Sequence, residues 1–215
     1  IQVGLLNVLE ERDVQIRGYK IRLPLDLMLV ASANPEDYTN RGRIITPLKD
    51  RFGSQIRTHY PLDVAVEYEI MQQEARPVTV GETVGVVVPD YLGEVVATFS
   101  QLARASNHVN QRSGVSVRLS VSNYESLAAN ALRRGLRAGE RAIVARVDDL
   151  DALAASSIGK IEIEALEDGR AGQIFDNLVK GAVLTVFQER VDPSHTTPIV
   201  DEFEAGNVVH TGEDL

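Results

Sequence analysis

A cluster of basic residues follows the most apolar segment of the chain. Residues 27–31 form its longest purely apolar run, and Asn34 lies shortly after that run. Positions 41–57 then carry a local charge of 5 − 1 = +4, because Asp50 is the single acid among five bases: Arg41, Arg43, Lys49, Arg51 and Arg57. An amide at a strand end can orient water or bind a phosphate oxygen, and a guanidinium can neutralise charge on a transferring phosphoryl group. The cluster therefore indicates phosphate chemistry, with a solvated basic loop as the alternative.

The elements before Pro61 predict an α/β arrangement around this cluster. Apolar residues recur at helical spacing in residues 1–12, and period-2 alternation on both sides of Gly18 predicts a β-hairpin. The run 27–31 is typical of a strand buried on both faces, as in a parallel sheet. Ligands bind at the carboxyl ends of such strands, which is where Asn34 lies. We expect one further strand over residues 55–60.

Beyond Pro61 the pattern is mainly helical. The spacing predicts an extended segment at 84–88 and helices over residues 63–75, 89–106, 148–157 and 172–190. Ser122 and Glu125 have the spacing of a capping box, which predicts a further helix from there to about Arg137. Residues 191–215 contain six acids and no Lys or Arg, so we expect an acidic tail or linker there, including residues 199–202.

The composition is that of a globular protein and excludes several classes of function. The chain has 215 residues, a net charge of 22 − 31 = −9, 44% hydrophobic residues and no cysteine. The lack of cysteine excludes disulfides and thiolate sites and fits a reducing cytosol, so we expect a cytoplasmic location. The acidic balance argues against a dedicated nucleic-acid binder. The longest apolar run is far shorter than the roughly 20 residues of a membrane span, so we expect no membrane partner.

Several nucleotide and metal motifs do not occur in the sequence. There is no phosphate-binding P-loop, no dinucleotide glycine fingerprint and no Gly-x-Ser-x-Gly elbow. The four histidines, at positions 59, 108, 195 and 210, have neither helical i, i+4 spacing nor any clustering, so we expect no metal site in this chain.

Three motifs in order resemble the AAA+ ATPases of the magnesium chelatase subunit I and MoxR type. They are LLNVLEER at 5–12 followed by the hairpin, VASANP at 30–35, and LKDRFG at 48–53. In that family a helix after the Walker B strand leads into an inserted β-hairpin. The sensor 1 strand then ends in Asn before Pro, and an Asp-Arg-Phe segment carries the arginine finger. The resemblance covers about residues 1–61.

The resemblance implies roles for three residues. Asn34 corresponds to sensor 1, which helps to position the attacking water, and Arg51 corresponds to an arginine finger that acts in trans on a neighbouring subunit. A looser similarity of GVSVR at 114–118 to the sensor 2 stretch makes Arg118 a nucleotide-binding candidate, with Arg112 as its nearest competitor. The alternatives are a turn-forming Asn before Pro, an ion pair of Arg51 with a nearby acid, and an ordinary surface arginine at position 118.

The resemblance also implies a domain organisation. The fold class is α/β plus all-α: residues 1–61 as the C-terminal part of an AAA+ α/β core, 62–190 as a helical lid domain, and 191–215 as the acidic tail. Because Ile1 already belongs to a helical pattern and both Walker motifs are absent, we expect a fragment that is inactive and does not bind nucleotide by itself.

The expected function of the complete protein also follows from the resemblance. It would form a homo-oligomeric ring that uses ATP and Mg²⁺ to remodel a partner protein or a metal-insertion complex, as chelatases do. MoxR-type relatives often act with a von Willebrand factor A domain partner. The rival hypothesis is a non-catalytic helical interaction module that docks an acidic protein or nucleic acid through the basic loop.

Overall fold

The computed structural model describes residues 2–11, 13–22, 28–32, 44–76, 79–80, 84–110, 114–162 and 170–206. The chain divides into two compact units, Ile1–His59 and Tyr60–Leu215. The described residues are mostly helical, with two small sheets.

The first unit contains a short helical segment and a hairpin. Helix α1 (Gln2–Leu6) continues into a π-helical turn (Asn7–Glu11), and helix α2 (Thr46–Lys49) packs against α1. Strands β1 (Asp13–Ile16) and β2 (Tyr19–Arg22) are antiparallel. The turn between them places Arg17 and Gly18 at φ values of 50° and 88°, as a tight two-residue hairpin turn requires. The predicted helix and hairpin are therefore confirmed.

The predicted buried strand over 27–31 is wrong for the residues that are described. Residues 28–32 have no regular structure, and the side chains of Met28 and Val30 are 88% and 78% exposed. A strand buried on both faces needs neighbouring strands and covering helices, whereas the described part of this unit contains only the two-stranded hairpin. Residues 55–60, predicted as a strand, also have no regular structure.

The second unit is a helical body with a small three-stranded sheet. Its first long helices are α3 (Val64–Glu74), α4 (Asp90–Ala105) and α5 (Val117–Ala138). Strand β3 (Thr79–Val80) is antiparallel to β4 (Val84–Val87), which is parallel to β5 (Ile143–Val144). A 3₁₀ helix (Val147–Ala152), α6 (Leu153–Ser157), α7 (Arg170–Arg190) and α8 (Pro193–Glu204) follow. The helices predicted over 63–75, 89–106 and 172–190 are confirmed.

The core of this unit forms around α4. That helix packs against α3, α5 and α7, and it buries Leu92, Val96 and Phe99 completely. The Phe99 ring meets the Phe175 ring of α7 edge-on, with 5.3 Å between the ring centroids. Such aromatic pairs add to the free energy that burial alone supplies.

Helix α5 begins before the predicted capping box. The side chain of Ser116 accepts a hydrogen bond from the Arg118 backbone N–H at 3.2 Å, so the helix starts at Val117. Ser122 lies inside the helix, one residue before Asn123. Asn123 is fully buried, and its Oδ1 accepts hydrogen bonds from Ser156 and Ser157. The hydroxyl of Ser122 accepts a hydrogen bond from Lys160 Nζ at 3.0 Å, 38 positions away, so its spacing to Glu125 does not mark a helix end.

The predicted tail is helical from Pro193 to Glu204. The Asp192 carboxylate accepts a hydrogen bond from the Ser194 backbone N–H at 2.8 Å, which caps the helix. Pro193 occupies a first-turn position, where its missing N–H removes no intrahelical bond. Residues 199–202, expected to be part of a linker, lie within α8. The end of the predicted tail, 207–215, is outside the described residues.

Candidate functional site

Arg51, the predicted arginine finger, lies just after α2 and forms an ion pair with Glu10. Its Nε donates to Glu10 Oε2 at 2.8 Å, and its Nη2 contacts the same carboxylate oxygen. Its Nη1 donates to the Pro47 carbonyl at 2.7 Å. The Glu10 contact corresponds to the alternative role of Arg51, an ion pair with a nearby acid. Glu10 is itself part of the LLNVLEER segment, but nothing local in the sequence pairs it with a residue 41 positions away.

The remaining residues of the basic cluster fall into two groups. Asn34, the predicted sensor 1 residue, lies outside the described residues, as do Arg41 and Arg43. Lys49 and Arg57 are described and exposed, and within the described ranges neither has a carboxylate partner. The structure therefore brings Arg51 together with Glu10 and leaves the other described bases open to solvent.

Arg118, the predicted sensor 2 residue, lies in the first turn of α5. Its side chain is exposed, and among the described residues its guanidinium has no hydrogen-bond or ion-pair partner. The first turn of a helix also presents unpaired N–H groups and the positive end of the helix dipole. A free guanidinium there can bind an anion without first breaking an ion pair. Arg112, the competing candidate, lies outside the described residues.

A buried ion pair holds the start of α5 in place. Glu67 of α3 is fully buried, and Arg104 of α4 donates to its two carboxylate oxygens at 2.6 and 2.7 Å. The Nε of Arg104 also donates to the Val115 carbonyl at 2.9 Å, directly before α5. Ser120 of α5 donates to Glu67 at 2.5 Å, and its Oγ lies 2.8 Å from that of Ser100. Three helices thus meet at one carboxylate, close to Arg118.

The backbone before α5 is also fixed by a close approach. Gly114 has φ = +66°, and a Cβ at that position would lie 2.5 Å from the Tyr60 hydroxyl oxygen. The guanidinium of Arg104 lies over the Tyr60 ring, 4.6 Å from the ring centroid. The positive φ therefore favours glycine at 114, and a side chain there would also displace the Tyr60 hydroxyl. This network links residues far apart in sequence, so local spacing could not identify it.

The polar face of α5 continues from Arg118 along one side of the helix. Residues 118, 122, 125 and 126 share that face because they recur at intervals of three and four. A cleft of about 610 Å³ lies along part of this face; it is lined by residues 122, 125 and 126 together with Arg76 and Lys160, and not by Arg118. Lys160 Nζ donates to Ser122 Oγ at 3.0 Å, and Glu125 accepts from the Arg76 backbone N–H at 2.9 Å. Such cations and hydroxyls can bind a phosphate, although Glu125 offsets one positive charge.

The other buried carboxylate of this unit has a structural role. Asp149 accepts from Arg134 Nη2 at 3.0 Å and from the Arg146 backbone N–H at 2.9 Å, where it caps the 3₁₀ helix. The hydrogen bond that Arg134 donates to Asp149 raises the pKa of Arg134 above its ordinary value. Across the described ranges, no group of three or more His, Asp or Glu residues is arranged to hold a metal ion.

The chain matches no known protein family, and its described helices include no membrane span. Among the helices that the structure describes, none combines the length and the apolar character needed to cross a bilayer. Compared with family models, curated proteins and solved structures, the chain matches none of them.

Proposed function

We propose that this chain is part of a chelatase-like AAA+ ATPase that couples ATP hydrolysis to remodelling of a partner protein or metal-insertion complex. The ordered motifs in residues 1–61 motivate this proposal. The observation that carries it is Arg118, whose guanidinium has no partner among the described residues and which lies at the start of α5, where the buried Glu67–Arg104 pair binds the Val115 carbonyl. In the complete protein, Arg118 binds the nucleotide phosphates, and the Lys160 side of the cleft extends the same polar face.

The Glu10–Arg51 ion pair is compatible with a finger role because opening it requires little free energy. Surface ion pairs contribute about 0–1 kcal/mol. An arginine finger accelerates phosphoryl transfer roughly 10³–10⁵-fold, which corresponds to roughly 4–7 kcal/mol in the transition state. Arg51 therefore gains more free energy by contacting a transferring phosphoryl group in a neighbouring subunit than it loses by leaving Glu10.

The described residues do not fit a magnesium site. Mg²⁺ is usually held by one or two carboxylates together with substrate phosphates. Of the described buried acids, Glu67 and Asp149 are occupied by Arg104 and Arg134, and Asp13 forms an ion pair with Lys20 at 3.8 Å. The described residues contain no cluster of acids for a metal. We therefore assign no metal-dependent step to this part of the protein.

The decisive experiment replaces Arg51 in the full-length protein. We expect Arg51→Ala to abolish ATP hydrolysis while nucleotide binding is largely retained, because a finger acts in the transition state. Arg57→Ala is the matched control, since Arg57 is an exposed base of the same unit that has no carboxylate partner in the described part of the chain. Mixing Arg51→Ala subunits with a Walker-defective variant should restore part of the activity if the finger acts in trans.

Two results would reject the proposal. Wild-type turnover in Arg51→Ala would show that Arg51 is not the finger and would reject that part of the proposal. An upstream coding sequence without Gly-x-x-x-x-Gly-Lys-Ser/Thr and an apolar strand ending Asp-Glu would exclude the ATPase.

A further inference from the structure

An apolar groove of about 730 Å³ runs along α7, between this helix and the 3₁₀ helix Val147–Ala152. We call it the α7 groove; its large apolar lining residues are Val147, Leu150, Phe175, Val179, Val183, Leu184 and Phe187. A second cavity of about 300 Å³ shares Val147, Val183 and Phe187 with it and extends to Arg190. The two cavities thus form a continuous depression along most of α7.

The groove exposes large apolar side chains that α4 does not cover. Val147, Leu184 and Phe187 are 48%, 54% and 47% exposed. Other side chains of α7, including Ala182 and Val186, are buried in the core, and Phe175 in the floor of the groove packs against Phe99 of α4. A contiguous apolar patch on a protein surface typically marks a site of interaction.

The rim of the α7 groove is acidic. Asp148 and Asp151 lie on the 3₁₀ helix and Asp176 lies on α7, whereas Lys180 is the single cation among the residues that line this groove. All three aspartates are exposed, and none has a hydrogen-bond or ion-pair partner within the described ranges. The local charge of 1 − 3 = −2 favours a cationic ligand over an acidic one.

We propose that the α7 groove binds a cationic amphipathic helix of a partner protein. Apolar side chains at positions i, i+3 or i+4, and i+7 of that helix fill the groove, and flanking Lys or Arg residues pair with the three aspartates. From Phe175 to Arg190 the groove and the second cavity together follow α7 for about 24 Å, which matches a partner helix of about 16 residues.

The adjacent helix α8 has the wrong charge for this groove. Its Ile199, Val200 and Phe203 are exposed, so it is amphipathic as well. However, α8 also carries Asp201, Glu202 and Glu204, which would face the aspartates of the rim. Like-charge repulsion therefore disfavours α8 as the occupant, whether it comes from the same chain or from a second copy.

A synthetic helical peptide tests this proposal directly. The probe is a fluorescein-labelled 15-residue peptide with Leu at i, i+4, i+7 and i+11 and Lys on the flanks, and its binding to the protein is measured by fluorescence anisotropy. We expect Leu184→Ser to weaken binding about tenfold, because an exposed anchor is lost. Combining Asp148→Asn with Asp151→Asn should weaken binding several-fold and reduce its dependence on salt.

Matched controls separate this site from non-specific adhesion. Leu136→Ser removes an exposed leucine of α5 that does not line the groove, so it should leave peptide binding unchanged. A peptide with Glu in place of Lys should bind at least tenfold more weakly. The proposal is overturned if Leu184→Ser binds the Lys peptide like wild type, or if both peptides bind equally well. Self-association of the protein that Leu184→Ser abolishes would identify a second copy as the occupant and would also overturn it.

Discussion

At the scale of single residues, Glu67 is the group whose burial demands the most compensation. Removing a carboxylate from water costs several kcal/mol, and only a well-placed cation with further hydrogen bonds offsets that penalty. Arg104 supplies the bidentate contact and Ser120 supplies an additional hydrogen bond. The net contribution of the pair is therefore small while it is intact and strongly unfavourable when one partner is removed.

Replacing one partner of this pair should destabilise the second unit. We expect Arg104→Met to lower the free energy of unfolding by about 3–5 kcal/mol, because the Glu67 carboxylate stays buried without its cation. The double variant Glu67→Leu/Arg104→Met should recover most of that loss. Urea denaturation followed by circular dichroism measures both, with Arg137→Met as an exposed control expected within about 0.5 kcal/mol of wild type. A loss below 1 kcal/mol in Arg104→Met would contradict this account.

Stability should also fall at alkaline pH because of Tyr68. Burial, together with the hydrogen bond that its hydroxyl donates to Asp90 at 2.9 Å, raises the pKa of Tyr68 well above its ordinary value of about 10. Burial also raises the pKa of Tyr124, whose ring centroid lies 6.4 Å from that of Tyr68. Above pH 10 the unfolded chain loses these protons while the folded chain keeps them, so the free energy of unfolding decreases as pH rises.

Urea denaturation between pH 8 and pH 11 measures this effect. The stabilisation is fully present below about pH 10 and declines above it. Tyr68→Phe should make the decline shallower, since it removes one of the two titrating groups. An equal decline in wild type and in Tyr68→Phe would assign the pH dependence to other residues.

At the scale of elements, the sequence pattern correctly predicted the helices and the hairpin that depend mainly on neighbouring residues. The hairpin around Gly18 and the helices α3, α4 and α7 follow from period and capping, and they are confirmed. The start of α5 was missed because Ser116 and Ser122 both fit a cap. Ser116 caps the helix by accepting from the Arg118 backbone N–H, whereas Ser122 accepts a hydrogen bond from Lys160, which is distant in sequence. The buried strand failed because an apolar run does not reveal whether neighbouring strands cover it.

The candidate site could likewise be predicted only in part from the sequence. The sequence indicated Arg118 as a candidate just before a helix, and the structure places it in the first turn of α5. It could not indicate the supporting ion pair, because Glu67 and Arg104 are 37 positions apart and Arg104 reaches Val115 from another helix. The sequence also could not predict that Arg51 pairs with Glu10, because that contact forms only when the whole first unit folds.

The contact between α3 and α4 depends on a glycine. A Cβ at Gly93 would lie 2.1 Å from Cε2 of the Tyr68 ring, which is too close for the ring to stay in place. We expect Gly93→Ala to lower the free energy of unfolding by about 1–3 kcal/mol. Gly172→Ala in α7 is the matched control, because a Cβ there meets no atom within 4 Å. It should be neutral or stabilising by up to about 1 kcal/mol. Equal effects of the two substitutions in thermal denaturation would contradict this explanation.

At the scale of the whole molecule, the hydrophobic core belongs to the second unit. The buried cluster extends from Met71 to Val186. The predicted helical character beyond residue 62 agrees with this body of helices, while the AAA+ core in residues 1–61 stays a proposal. The α7 groove, the start of α5 and the buried pair all lie in this unit, so its folding determines both candidate binding surfaces.

The second unit should therefore fold by itself. We expect a chain of residues 60–215 to show the helical circular dichroism spectrum and a single cooperative urea transition, because its core cluster requires no residue before Tyr60. A chain of residues 64–215, which lacks Tyr60 and the Asp63 cap, is expected to be less stable by about 1 kcal/mol or more. A gradual transition in the longer chain would show that residues 1–59 are part of the folding unit.

The contact between Tyr60 and Arg104 has a mechanical consequence. Tyr60 is the first residue of the second unit, and its ring lies against the guanidinium that binds both Glu67 and the Val115 carbonyl. Tension applied along the chain from the first unit therefore acts, once it reaches Tyr60, on the Arg104 contacts that hold the start of α5, which we call the α5 anchor. A single-molecule pulling experiment from residue 1 should show the α5 anchor yielding before the α4–α7 core, and Tyr60→Ala should lower the force of that first event.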